Sequence, residues 1–66
     1  MEVVINGTRR QVADEMSLAQ AVSLLTTSAT GVAAAINDEV VRRAAWEATR
    51  LAAGDRVEVI TAVQGG

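Results

Sequence analysis

The apolar and polar positions of this chain fall into short blocks separated by turn signals. Residues 1–5 (MEVVI) form a β-branched apolar run, and Asn6-Gly7 follows it. Asn-Gly is a strong hairpin signal, because both residues tolerate the positive φ angles that a type I′ turn demands. Residues 8–13 (TRRQVA) then read as the returning strand, polar enough to sit at a sheet edge. Ser17-Leu18-Ala19-Gln20 carries a capping box, in which the serine hydroxyl and the glutamine amide satisfy amides of the first helical turn. Leu18, Ala21, Val22 and Leu25 recur at helical spacing, which predicts an amphipathic helix over 18–27 with that stripe inward. Gly31 lies beyond the helix. Residues 32–37 (VAAAIN), between Gly31 and the Asn37-Asp38 turn, read as a short strand.

Residues 40–53 (VVRRAAWEATRLAA) are ambiguous. Propensity alone makes them a helix with Val41, Ala45, Ala48 and Ala52 on one side. Gly54-Asp55 is a turn, and residues 56–63 (RVEVITAV) are the best strand in the chain, largely apolar on both faces and so expected at the sheet centre. The first and last strands are the richest in Val and Ile. Pairing them in the middle gives an α+β domain, a mixed sheet with one helix packed across it.

Composition narrows the chemistry. Sixty-six residues with a net charge of -2 make one small domain. Half the residues are apolar, but many of these are alanine, so a deep pocket for a large cofactor is not expected. The sequence has no His, Cys, Lys or Tyr. That excludes a Ser-His-Asp triad, a P-loop lysine, a Schiff base and a zinc-thiolate site, and it points to a protein that is not an enzyme by itself. Asp14-Glu15 and Asp38-Glu39 read as solvated turn charges, so no metal is expected. Arginines balanced by acids and a single aromatic residue make nucleic-acid binding an unexpected function. No apolar run approaches a membrane span, no signal peptide is evident, and the cytoplasm is the expected location.

The sequence ends on Gln64-Gly65-Gly66 directly after its best strand. Two residues without Cβ atoms make a slender tail that can thread a narrow channel. Its terminal carboxylate is ionised at neutral pH and is a poor electrophile. Activation as an acyl adenylate with ATP is the obvious route to chemistry there.

These residues carry a family resemblance. Ile5-Asn6-Gly7, the Ser17-Leu18 helix start, residues 32–37, Val40-Val41, Arg43, Trp46, Leu51, Gly54-Asp55 and the closing 62–66 (AVQGG) resemble, in order and spacing, the thiamine-biosynthesis sulfur carrier family, ThiS. That family is a branch of the ubiquitin-like β-grasp fold. Arg42 stands where the family often has Pro. The resemblance implies a five-stranded mixed sheet over residues 1–63, a flexible Gly-Gly tail over 64–66, a short strand near 40–43 and one irregular turn near 46–51. It thereby overrides the helix that propensity gives for 40–53.

By the same resemblance, an E1-like adenylating enzyme uses ATP to activate the Gly66 carboxylate. Sulfur from a cysteine desulfurase persulfide replaces AMP, and the resulting thiocarboxylate serves thiazole synthase. The chain itself binds no cofactor. Gly66 is the covalent carrier, Gly65 gives steric clearance, and Gln64 and Val63 position the tail. If Met1, Val3, Ile5, Val57 and Val59 face the helix, then Val4, Ile60 and Ala62 are candidates for partner docking. Arg42 and Arg43 suit either acids on a partner or a solvated edge, and Trp46 reads as a core plug. Two other readings stay open: a carrier for molybdopterin or cysteine synthesis, and a ubiquitin-like protein modifier. A plain interaction domain is a further alternative.

Overall fold

A computed structural model describes residues 1–26 and 31–61. The chain runs β1 (Glu2–Ile5), β2 (Thr8–Gln11), α1 (Leu18–Ser23), β3 (Val32–Ile36), β4 (Glu39–Val41), a 3₁₀ turn (Arg43–Ala45) and β5 (Arg56–Thr61). The strands form one sheet in the order β2-β1-β5-β3-β4. β5 pairs parallel with β1 and antiparallel with β3, so the first and last strands meet in the sheet interior as expected.

The turn chemistry follows from the asparagines. Asn6 and Gly7 sit at φ 49° and 81°, and Asn37 and Asp38 at 51° and 71°, so both hairpins close through two left-handed residues. α1 starts where the capping box places it. The Ser17 hydroxyl accepts from the Gln20 amide at 3.1 Å, and the Gln20 side chain accepts from the Ser17 amide at 2.9 Å.

The core lies between α1 and one sheet face. Val3, Ile5, Val57 and Val59 meet Leu18, Ala21 and Val22, with Ala34, Trp46 and Leu51 closing the ends and Met1 packed against the margin. Trp46 is the expected plug. It is 6% exposed and donates its indole N–H to the Val41 carbonyl at 2.7 Å.

Several expectations need correction. The helix expected over 18–27 ends at Ser23, and residue 27 is outside the described residues. Leu24 and Leu25 donate to carbonyls three residues back, Ala21 and Val22, which tightens the last turn. Leu25, beyond the end of α1, is 37% exposed instead of continuing the buried stripe. β2 stops at Gln11 rather than at residue 13.

β4 stops at Val41, and Arg43 opens the 3₁₀ turn instead of lying in an edge strand. The helix that propensity favours for 40–53 does not form, because Val40 and Val41 pair with Ala35 and Ala34. Tertiary pairing of that kind outweighs tenths of a kcal/mol per residue in helix propensity. β5 is central by pairing but not by burial. One helix covers one face only, and Arg56, Glu58 and Ile60 are exposed on the other.

The boundary expected between 63 and 64 lies outside the described residues. Among the described residues no helix is long and apolar enough to cross a membrane.

Candidate functional site

The candidate site is the outgoing end of β5 together with the open sheet face around it. Gly66, the covalent carrier expected from sequence, lies outside the described residues, as do the tail residues Val63, Gln64 and Gly65 and the docking candidate Ala62. What the fold positions is the strand that leads to them.

β5 is held by β3 to its end and by β1 only at its start. On one side it pairs with β3 through five registered positions, from Ile36↔Val57 to Val32↔Thr61. On the other, β1 reaches only as far as Ile5↔Val57. There β1 turns away, and the Asn6 side chain takes over. Its Oδ1 accepts from the Val59 amide at 2.8 Å and its Nδ2 donates to the Val59 carbonyl at 3.1 Å. At the start of β5 the other turn asparagine acts similarly: the Asn37 Oδ1 accepts from the Arg56 amide at 2.9 Å.

Two of the docking candidates, Val4 and Ile60, share a face without forming one cluster. Val4 is half-buried and stands beside Arg9 and Arg56. Ile60 is 62% exposed and stands beside Ala33, while Val40, 77% exposed, stands beside Ala35. Val4 and Ile60 are therefore four residues apart along β5, roughly 13 Å. On the same face Arg56 projects beside Val4, and Glu58 lies between Arg56 and Ile60.

Arg43 belongs to a different surface. Its guanidinium lies 5.6 Å from the centroid of the Trp46 ring, and it borders a shallow depression with Ala19, Trp46 and Glu47 on the helix side. The structure does not bring it together with Val4 and Ile60. Val40 and Asn6 are the two residues that sequence reasoning did not assign to this region. The alternation of β4 was the available signal for Val40, whereas Asn6 was read for its turn alone.

Among the described residues no group of His, Cys, Asp or Glu converges to hold a metal ion. The acidic pairs instead serve turns and termini. Asp14 receives the N-terminal ammonium at 3.3 Å, and Asp38 receives Arg56 at 3.0 Å across two exposed side chains.

Comparison with known proteins agrees with this geometry. The ThiS family model matches residues 3–66. A crystal structure of the thiamine biosynthesis protein ThiS from Geobacter metallireducens is similar at a TM-score of 0.82 and 32% identity, with all of both chains covered. A solution structure of a thiamine biosynthesis protein from the same organism gives a TM-score of 0.80 at 30% identity, covering 100% of this chain and 88% of that one. No curated protein matches the chain by sequence. By fold, by the family match and by these neighbours, the chain belongs to the ThiS family of ubiquitin-like β-grasp sulfur carriers in thiamine biosynthesis.

Proposed function

We propose that this chain carries sulfur as a thiocarboxylate on Gly66 and delivers it for assembly of the thiazole ring. The observation that carries this reading is the family match, which runs through Gly65 and Gly66. An E1-like enzyme adenylates the Gly66 carboxylate: a carboxylate oxygen attacks the α-phosphorus of ATP, and pyrophosphate leaves. The terminal sulfur of a persulfide, charged by a cysteine desulfurase, then attacks the acyl carbon and displaces AMP. A thiol cleaves the resulting acyl disulfide, leaving the thiocarboxylate that thiazole synthase consumes. The sulfur sits on the main chain because the sequence offers no cysteine.

In this reading the chain is a protein substrate of its partners rather than an enzyme, it binds no cofactor of its own, and it works in the cytoplasm. Gly65 clears the channel into the activating enzyme, and Val63 and Gln64 line the tail's entry. The open sheet face around Ile60, with Val4 and Ala62, meets the partner. An exposed isoleucine beside alanine supports that assignment.

The test is carrier-dependent pyrophosphate release by the activating enzyme with ATP. Full-length protein should support it and a chain lacking Gly66 should not. Equal release from both would overturn the proposal.

A further inference from the structure

β1 and β5 form a parallel ladder that runs out of backbone. The Val4 amide donates to Asp55 and the Asn6 amide donates to Val57, each at 2.9 Å. The next rungs would need a carbonyl for the Val59 amide and an amide for the Val59 carbonyl. β1 supplies neither, because the chain reverses at Asn6-Gly7. The carboxamide of Asn6 has the same donor and acceptor as a peptide group, and it occupies both rungs at once. Val59 is the last β5 residue that the β1 side holds through such contacts, two positions before Thr61, the final residue of β5.

We propose that Asn6 is a positioning residue for the C-terminal tail, a side-chain clamp that fixes the last part of β5 on the sheet so that the segment beyond it enters a partner's active site from a defined point. The inference rests on the carrier reading above. In that reading docking uses the side chains around Ile60 and Val4; Asn6 borders Val4, Arg56 and Glu58 at the margin of this face, and its carboxamide is spent on Val59 rather than presented to a partner. The clamp governs how often a docked carrier has its terminal carboxylate at the α-phosphorus of ATP, and misplacement of that kind slows the reaction of a complex that still forms. Global instability does the opposite: it lowers the concentration of folded carrier and raises the apparent KM.

The experiment compares Asn6→Gly, Asn6→Asp and Asn37→Gly with wild type in carrier-dependent ATP–pyrophosphate exchange by the activating enzyme. Amide hydrogen exchange of Val57 and Val59 is measured on the same proteins. Glycine keeps both turns, since positive φ costs it nothing. Asn6→Asp keeps the acceptor for the Val59 amide but faces the Val59 carbonyl with an oxygen that cannot donate.

In Asn6→Gly, Val59 should lose protection while Val57 keeps it, and kcat should fall about three- to tenfold with KM within about twofold. Asn6→Asp should also lower kcat. Asn37→Gly, which frees only the start of β5, should leave kcat unchanged. An unaltered kcat in Asn6→Gly, a loss carried by KM alone, or an equal fall in Asn37→Gly would overturn the clamp while leaving the carrier reading intact. Absence of exchange with wild type would overturn both.

Discussion

Replacing Trp46 by Phe tests the link between the 3₁₀ turn and the sheet. Trp46 is 6% exposed, and its indole N–H reaches the Val41 carbonyl at 2.7 Å. Phe keeps an aromatic ring but removes the donor and part of the ring volume. Losing a partner for a partly buried carbonyl costs about 1 kcal/mol. The space left by the smaller ring adds about 1–2 kcal/mol, below the 3–5 kcal/mol typical of full truncation to Ala. The sum, about 2–3 kcal/mol, is a large part of the roughly 3–10 kcal/mol available to a domain of this size. Urea unfolding followed by far-UV circular dichroism reads both proteins alike, since the variant has no indole fluorescence. With an m-value of roughly 1 kcal/mol per molar urea, the midpoint should fall by about 2–3 M at unchanged slope. A loss below about 0.5 kcal/mol would place the substitution in the range of ordinary surface changes and refute Trp46 as the plug.

Other substitutions test the local devices one at a time. Ser17→Ala removes the hydroxyl that accepts from Gln20 and should cost about 1 kcal/mol in the same urea assay; a neutral result would mean that the capping box does not set the helix start. Gly7→Ala meets nothing within 4 Å of the new Cβ, but it forces an alanine to φ 81°. Its cost should be about 1–2 kcal/mol of backbone strain, so an unchanged unfolding midpoint would contradict the type I′ turn. Asp38→Asn removes the charge from the exposed pair with Arg56 while keeping a residue that tolerates the φ of 71°; it should change stability by less than about 1 kcal/mol, with the difference vanishing in high salt. A larger, salt-independent loss would assign Asp38 a different role.

The sequence exposed those devices that act between near neighbours. Asn6-Gly7 announced its hairpin, Ser17 to Gln20 its cap, and the Val-rich strand its place in the sheet interior, because each signal lies within a few residues and has one cheap conformation. Residues 40–53 were not readable this way. Their alanines and arginines favour a helix locally, and only the pairing of Val40 and Val41 with β3 decides against it. The early end of α1 was hidden too, since Leu25 has the spacing of the stripe and yet stands exposed past Ser23. The clamp at Asn6 left no trace in the sequence beyond its turn, because its partner lies 53 residues away. Val4 and Ile60 were legible as one face, but Glu58 between them and the placement of Arg43 beside Trp46 required the structure.

Intact-mass analysis with C-terminal fragmentation, on protein isolated from cells growing without supplied thiamine, addresses sulfur carriage most directly. A fraction heavier by the exchange of one oxygen for one sulfur, with the added mass confined to the fragment containing Gly66, is the predicted result. Unmodified carboxylate throughout, or sulfur retained on any other residue, would contradict the account.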